Sequence, residues 1–417
     1  MVLNVFWICF FLIAFVVALI RLMMGDTEVL KTLMDGVFDS ARTGVDISIG
    51  LIGIMSLFLG FMKIGERAGA INLLSRIVGP FFSKLFPEIP KGHPAMGHMM
   101  MNFSANLLGL DNAATPFALN AMKSLQEINP VKDTASNSQI MFMVLHASGL
   151  QIIPVSIIAQ RAIMKSHNPA EVFIPCVLSC FVATMVAMSV TAIWQKFNRK
   201  QWIAIVIAGA IGAVCLGGLG YYVRRHLNNE SATIFSNVVS NGLILLFFIV
   251  FILGGIWKKV NVYNAFIDGA KQGLLISIKI IPYLVGMLVA ISLLRNCGVF
   301  DYMTSAIGHL LSAMGFDTKF VPALPTAFMK PFSGSGARAM MLDTFHAYQT
   351  QGGPDSFVGR VSSTIQGSAD ATFYIVALYF GSVGIKKTRY AVSASLLADF
   401  AGIVTAIFIC YHWPWSN

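Results

Sequence analysis

The sequence predicts an all-α polytopic membrane protein made of two homologous halves that form inverted repeats. Two observations predict this class: a strongly apolar composition, and a stretch of the first half that recurs 229 residues later. Hydrophobic residues fill 56% of 417 positions and charged residues only 12%, whereas soluble domains carry about 25% charged residues. We therefore expect the lipid bilayer to be the main partner of this chain.

The internal repeat is clearest where DSARTGVDISI (residues 39–49) is compared with DGAKQGLLISI (residues 268–278), which agree at six of eleven positions. The same register continues through the pairs Gly69/Gly298, Gly79/Gly308, Met100/Met329, Phe103/Phe332 and Ser104/Ser333. Two-fold repeats that enclose a site at the bilayer midplane are a recurring plan among transporters.

The elements of the first half follow from its apolar runs. Residues 2–24 predict a spanning helix, and we expect it to be retained, because it lacks a basic start and an A-x-A-like cleavage site. The rest of this half is predicted to comprise an amphipathic segment (29–43), a span (44–62), an amphipathic segment (66–86), a stretch broken by Pro and Gly (87–126), and spans near 138–164 and 170–196.

The second half repeats this order, with predicted segments at 235–257, 261–273, 274–294, 299–315, 317–350, 356–380 and 390–412. The predicted domains are a first repeat (1–200), a connecting transmembrane helix (201–228) and a second repeat (229–417). Four spans and one re-entrant or broken-helix hairpin in each half are an even number of crossings, so the single connecting helix inverts the second half. Lys and Arg occur in loops on both sides, so they do not assign the cytoplasmic face.

Charge and motifs exclude several functions. The net charge of +10 comes from short basic clusters that flank apolar runs, a pattern that anchors helix ends near headgroups and is not typical of nucleic-acid binding. The histidines and cysteines have no metal-ligand spacing, and SGSGAR (residues 333–338) is neither a Walker loop nor a dinucleotide motif. We expect no enzyme activity, no catalytic residue, no metal and no cofactor.

The broken stretches are the expected site, because backbone leaves a regular helix at membrane depth only where protein or a water-filled cavity satisfies its polar groups. The candidate residues in the first half are Asn102, Ser104, Asn106, Asp111 and Asn112. Those in the second half are Lys330, Ser333, Ser335 and Arg338.

Ser104 and Ser333 hold equivalent positions, and a new helix is predicted after each. The free N–H groups and positive dipole end of such a helix can bind a carboxylate, a phosphate or a polar oxygen. The alternative is that these small residues only allow helices to pack closely.

A second pair of polar clusters lies in the spans that follow. The first contains Ser148 and Gln151, and the second contains Gln366, Ser368 and Asp370; Ser148 matches Ser368 if the second half is nine residues shorter here. The carboxylate of Asp370 costs several kcal/mol in an apolar segment unless it is paired or solvated. Its expected partners are Lys330 or Arg338, and a purely structural ion pair is the alternative.

Two families resemble this chain at these residues. The first half, with LGLDNAATPFALNAM (108–122) and ASGLQIIP (147–154), resembles the spore maturation protein A family. The second half, with ALPTAFMKPFSGSGARAMM (323–341) and STIQGSADATFYIVALYFGSVGIKKTRYA (363–391), is similar to the spore maturation protein B family. The chain thus resembles a fusion of both, whose nucleoside-recognition or "Gate" domains imply a transporter-like protein with paired hairpins.

Together these features predict a multi-pass protein of the bacterial plasma (inner) membrane. It would bind or move a small polar or anionic solute, such as a nucleoside, an amino acid or a cell-envelope precursor, with a proton or sodium ion as coupling ion. The alternative is a non-transporting scaffold for envelope or spore-cortex maturation. The sequence is compatible with a homo-oligomer and indicates no nucleic-acid partner.

Overall fold

The computed structural model describes the backbone of residues 2–108, 111–214, 218, 229–413 and 415. It describes their side chains except those at 2–6, 111–113, 229–237, 239, 240, 279, 280, 283 and 301. Throughout this part of the chain the regular elements are α-helices joined by short 3₁₀ turns. The predicted all-α class is confirmed.

The first half contains eight described helices, and a ninth helix, which starts the predicted connecting segment, follows them. They are α1 (Val2–Met23), α2 (Val29–Arg67), α3 (Ala70–Leu85), α4 (Pro94–Leu107), α5 (Asp111–Glu127), α6 (Asn137–Ala147), α7 (Val155–Ile163), α8 (Phe173–Trp194) and α9 (Arg199–Gly212). The predicted connecting helix (201–228) begins with α9, and its residues 215–217 and 219–228 lie outside the described part. The predicted domain boundaries stay predictions.

The second half repeats the order of the first. Its helices are α10 (Asn229–Trp257), α11 (Val262–Asn296), α12 (Val299–Ala313), α13 (Leu324–Met329), α14 (Gly334–Ala347), α15 (Phe357–Gln366), α16 (Thr372–Ser382) and α17 (Ala391–His412). Short 3₁₀ turns lie at Val321–Ala323, Gln349–Gln351 and Gly353–Asp355.

Helices α2 and α11 are each one long helix, where an amphipathic segment and a separate span were predicted. In α2 no proline occurs over 39 residues, so nothing removes a helical hydrogen bond at the expected boundary near residue 43. The polar residues there are accommodated within the helix, because Arg42 and Asp46 form an exposed ion pair at i,i+4.

The repeat-equivalent helices α2 and α11 run antiparallel against each other. The Ser56 hydroxyl donates to the Ala270 carbonyl at 3.0 Å, near one end of the pair, while Gly44 lies against Val285 further along. Residue numbers therefore rise along one helix as they fall along the other. Equivalent helices in opposite directions are what an inverted repeat requires.

Glycines allow this close approach of α2 and α11 at two repeat-equivalent contacts. A Cβ at Gly44 would lie 3.2 Å from Val285 Cα, and a Cβ at Gly273 would lie 2.6 Å from Ser56 N. Gly44 and Gly273 are equivalent in the repeat, as are Ser56 and Val285. The register from the sequence also holds at Gly69 and Gly298. Each of these glycines directly precedes a helix, and their φ angles are 86° and 88° respectively.

Among the described residues, three helices are long and apolar enough to cross a membrane: Val29–Arg67, Phe173–Trp194 and Ala391–His412. Shorter apolar helical stretches occur at Trp7–Met23, Asn241–Trp257, Leu284–Asn296 and Thr372–Ser382. The last of these is short because the predicted span 356–380 is interrupted. The predicted span 138–164 is interrupted in the same way.

Four irregular segments result from this fold. We name α4 and α5 with their connection (94–127) the first hairpin, and α13 and α14 with theirs (324–347) the second hairpin. The first break is the non-helical segment between α6 and α7 (148–154), and the second break is the segment between α15 and α16 (367–371).

The loops that follow α5 and α16 also join the halves. The backbone N–H groups of Lys386 and Lys387 donate to the Asp133 carbonyl at 2.9 Å, and Ala135 N–H donates to the Lys387 carbonyl at 3.0 Å. A hydrogen bond from the Thr134 hydroxyl and the nearby Lys387 ammonium hold the pKa of Asp133 below its ordinary value.

Candidate functional site

The two breaks have the same internal structure. Ser148 and Ser368, which the sequence aligns, are both buried just after the helix that ends at each break. Their hydroxyls donate to carbonyls three residues earlier, Ser148 to Leu145 at 2.7 Å and Ser368 to Ile365 at 2.8 Å. The structure therefore supports their alignment, because each serine hydroxyl bonds a carbonyl in the last turn of the preceding helix.

The two breaks lie directly against each other. The main-chain N–H of Asp370 donates to the Ala147 carbonyl at 2.9 Å. Gly149 has φ of +61°, and a Cβ there would lie 2.9 Å from Asp370 N. The first break thus needs a residue without a side chain at this point, because its backbone touches the backbone of the second break.

Each hairpin is bound to the break of its own half. Ile152 N–H of the first break donates to the Leu107 carbonyl of the first hairpin at 2.8 Å. Phe373, just after the second break, donates its N–H to the Pro331 carbonyl of the second hairpin at 2.9 Å. The hairpins and breaks therefore form one connected unit, with the contact between the breaks at its centre.

Polar side chains of the first hairpin surround His146, the last residue but one of α6. Its Nδ1 lies 2.7 Å from Asn106 Nδ2 and 3.1 Å from Asn102 Oδ1, and its Nε2 lies 2.8 Å from the Tyr379 hydroxyl. We assign the tautomer of His146 from the shorter of these Nδ1 contacts. Nδ1 accepts a hydrogen bond from the Asn106 amide, so the proton is on Nε2, which donates to the Tyr379 hydroxyl. Since Tyr379 lies on α16, the second half completes this cluster.

The sequence prediction for Ser104 is corrected by the structure. Ser104 lies inside α4, and its hydroxyl is 3.3 Å from that of Ser75; the next helix begins at Asp111, not directly after Ser104. Ala105 and Leu107 favour helix and the first glycine comes only at Gly109, so α4 continues. The side chains of Asp111 and Asn112 lie outside the described residues.

The prediction for Ser333 is confirmed as a helix start. Ser333 precedes α14, and its hydroxyl accepts from Gly336 N–H at 3.0 Å and lies 3.0 Å from the Ser335 hydroxyl. Pro331 and the Ser/Gly-rich sequence that follows end α13 early, because proline lacks the N–H that a helix needs. The free N–H groups at this end of α14 lie beside the second break.

Lys330 and Gln366 connect the second hairpin to the second break. Lys330 is 3% exposed, and its ammonium donates to the Gln366 main-chain carbonyl. The Gln366 side-chain Nε2 donates to the Gly334 carbonyl at 3.3 Å, while its Oε1 is buried and has no hydrogen-bond partner among the described residues. Gln366 thus presents an acceptor that a bound solute can satisfy.

Asp370 is half-buried at the contact between the breaks. The charges that act on its carboxylate are those of Lys330 and of Arg338, which lies in the first turns of α14. None of the ion pairs among the described side chains includes Asp370. The expected direct pair with Lys330 or Arg338 is therefore not formed, and the carboxylate stays open to a further partner.

Gln151 lies in the first break and is half-buried. Its main-chain carbonyl lies 3.9 Å from the Sγ atom of Cys180 on α8. Most of the predicted site residues lie in or next to the connected hairpins and breaks. They are Asn102, Asn106, Ser148, Gln151, Lys330, Ser333, Ser335, Arg338, Gln366, Ser368 and Asp370. Ser104 points to α3 instead.

Sequence reasoning missed two features near this unit. Asp399 is buried within α17, where one acidic residue interrupts an apolar run. Arg161 of α7 is 0% exposed and bonds Glu171 at 2.5 Å and Asp355 at 2.8 Å, and Arg360 of α15 bonds Glu171 at 2.8 Å. This buried ion network joins the halves. The sequence indicates it only by charged residues at the edges of apolar runs.

Two surface cavities of about 250 and 370 Å³ lie elsewhere on the described surface. One is lined by Thr304, Ser305 and Pro322, and the other by Lys123, Gln126 and Ser382. Neither touches the contact between the breaks. Among the described residues, no group of three or more His, Cys, Asp or Glu could hold a metal ion.

Comparison with known proteins matches the same parts of the chain. The family model Gate, described as "Nucleoside recognition", matches residues 48–164 and 277–386, which include both hairpins and both breaks. The chain is 34% identical to spore maturation protein A of Bacillus subtilis (strain 168) over 198 residues, which are 48% of this chain and 98% of that protein. It is 44% identical to spore maturation protein B of the same organism over 158 residues, 38% of this chain and 85% of that protein.

Proposed function

This chain belongs to the Gate nucleoside-recognition family and is similar to spore maturation proteins A and B, and we propose that it binds or moves a small polar or anionic solute across the membrane. The site is the contact between the two breaks, flanked by the two hairpins. The proposal includes no catalytic step. The cell compartment is the plasma (inner) membrane of a bacterium, crossed several times.

The observation that carries this proposal is the hydrogen bond from Asp370 N–H to the Ala147 carbonyl, which joins two interrupted helices from opposite halves. Interrupted helices at membrane depth are typical of binding sites in transporters with inverted repeats. Packing alone needs no polar groups there, yet this contact is surrounded by amides, hydroxyls and charges that are expensive to bury.

The chemistry of the surrounding groups favours a solute with both donors and acceptors. The unpartnered Oε1 of Gln366 accepts a donor, and the free N–H groups at the start of α14 together with Arg338 attract an anionic or carbonyl oxygen. The amides of Asn102 and Asn106 offer further hydrogen bonds near His146. Nucleosides, amino acids and cell-envelope precursors all have such groups.

Transport by the purified protein in liposomes tests the proposal. Labelled nucleosides, amino acids and peptidoglycan precursors are supplied on one side, with and without a proton or sodium gradient. We expect saturable flux of one solute class, lost or strongly reduced in Gln366→Ala and kept in the control variant Gln351→Ala, whose side chain is exposed. If none of these solutes shows saturable flux or binding, the proposal is wrong.

Asp370 is tested in the same assay for a role in ion coupling. We expect Asp370→Asn to reduce the gradient-driven part of the flux, because none of the ion pairs among the described side chains includes its carboxylate. The exposed Asp317→Asn is the control. Unaltered ion dependence in a folded Asp370→Asn variant would remove this residue from the coupling.

One observation favours the alternative, a non-transporting scaffold. The hydroxyls of Ser148 and Ser368 are satisfied by the protein itself, as they would be if the breaks served only for packing. A scaffold predicts that Ser333→Ala keeps function in cells while changes in surface loops abolish it. The proposed solute site predicts the reverse order of effects.

A further inference from the structure

Asp399 lies within α17, one of the helices that are long and apolar enough to cross a membrane, and is 2% exposed. Its Oδ2 accepts a hydrogen bond from the Thr372 hydroxyl at 2.7 Å. Its Oδ1 is buried and has no hydrogen-bond partner among the described residues. An ionised carboxylate would therefore have one hydrogen bond for two charged oxygens.

No cation among the described residues forms an ion pair with Asp399. The charged groups that act on Asp399 are Lys330 and Asp370, and none of the ion pairs between described side chains includes Asp399. The Lys330 ammonium is bound to the Gln366 carbonyl. Asp370 carries the same sign of charge and disfavours a second carboxylate.

The helices packed against α17 bring no other compensating charge. Their titratable residues are Cys176 and Cys180 on α8, His146 on α6, Arg360 on α15, and Tyr374 and Tyr379 on α16. The His146 ring is held by Asn106 and Tyr379, and Arg360 is bound to Glu171. A buried carboxyl group without a paired cation binds a proton instead of remaining ionised.

We propose that Asp399 is a proton-binding site, neutral in this structure, which releases its proton when Lys330 of the second hairpin moves toward it. On release the O–H bond of the carboxyl group breaks, its electron pair stays on the carboxylate, and the proton passes to a water molecule. The link between this proton and solute movement rests on the proposed function; the protonation itself does not.

The geometry connects the proton to the position of the second hairpin. Lys330 directly follows α13, and Ser333 caps the start of α14 three residues later, so a movement of this hairpin displaces the ammonium. A hairpin position that frees Lys330 from Gln366 and brings it to Asp399 favours the carboxylate. By reciprocity, loss of the proton favours that hairpin position to the same extent.

Infrared spectroscopy of the purified protein tests the protonation without any solute. We expect a C=O stretching band of a protonated carboxylic acid at pH 7 that shifts in D₂O. This band should be lost in Asp399→Asn and kept in Asp370→Asn and in the exposed-loop control Asp317→Asn. No such band in the unaltered protein, or a band that remains in Asp399→Asn, would overturn the proposal.

A second variant keeps the test decisive if Asp399→Asn does not fold. In Lys330→Met the band should persist and disappear only at a higher pH than in the unaltered protein, because the cation that favours the carboxylate is gone. An unchanged or lower pH of disappearance contradicts the role of Lys330. A band with no flux of any solute supports the proton site and refutes the proposed function, whereas flux without the band refutes the proton site alone.

Discussion

Asp370 N–H and the Ala147 carbonyl form a hydrogen bond of 2.9 Å between the two halves, at the point where each half interrupts a helix. Both groups would bond within their own helices if those helices continued. The two groups therefore satisfy each other across the boundary between the halves, so the contact between the breaks forms only when both halves are folded together.

Gly149→Ala should weaken this joint. The φ of +61° and the 2.9 Å approach of a Cβ to Asp370 N oppose any side chain, and we expect a loss of about 1–3 kcal/mol in the free energy of unfolding. Gly97→Ala in α4 is the control, because a Cβ there meets open space. Thermal unfolding in detergent measures both; equal stability of the two variants would contradict the contact.

Gly273→Ala should separate α2 from α11. A Cβ at this position would lie 2.6 Å from Ser56 N, which is backbone and cannot rotate away, so a loss of about 1–3 kcal/mol is expected. Gly53→Ala on α2 has open space and should be neutral or stabilising by up to about 1 kcal/mol. Unfolding curves of the two variants compare them directly, and a neutral Gly273→Ala would argue against this packing.

Glu171→Gln should be strongly destabilising. Glu171 lies between two buried guanidinium groups, those of Arg161 and Arg360, and removing its charge from a buried network costs about 3–5 kcal/mol. The exposed ion pair of Arg42 with Asp46 supplies the control: Asp46→Asn should change stability by less than about 0.5 kcal/mol. Similar effects of both substitutions would show that the network contributes little.

Tyr379→Phe should loosen the His146 cluster. The substitution removes the hydroxyl that lies 2.8 Å from His146 Nε2, so we expect a loss of about 1 kcal/mol in unfolding free energy. Solute binding should weaken as well, because the ring of His146 then loses its fixed orientation beside Asn102 and Asn106. Tyr374→Phe on the same helix, where Tyr374 is 62% exposed, should leave stability and binding unchanged.

The repeat and its register could be predicted from the sequence because equivalent positions in the two halves need glycine for the same reason, a positive φ or a close helix contact. Gly69 and Gly298 precede equivalent helices with the same positive φ, and Gly44 and Gly273 make equivalent contacts. Helix lengths were harder to predict. The amphipathic pattern of residues 29–43 reflects which face meets neighbouring helices, and it contains no signal that the helix ends.

The site could be predicted in part. Polar residues in broken apolar runs indicated the second hairpin and both breaks, but the first hairpin turn was placed too early, because an alignment with Ser333 does not show where α4 loses its helical hydrogen bonds. Asp399 was missed because the apolar residues around it dominate the mean hydropathy of the segment. Its burial and unpartnered oxygen depend on contacts with other helices.

The pairing of α2 with α11 has a consequence for how such a chain can be assembled. Because Gly44 against Val285 and Gly273 against Ser56 are one contact made twice, the interface is isologous, as in a symmetric dimer of single-repeat polypeptides. The covalent link between the halves then raises their local concentration. Two polypeptides divided within residues 201–228 and synthesised together should consequently reassemble through this helix pair.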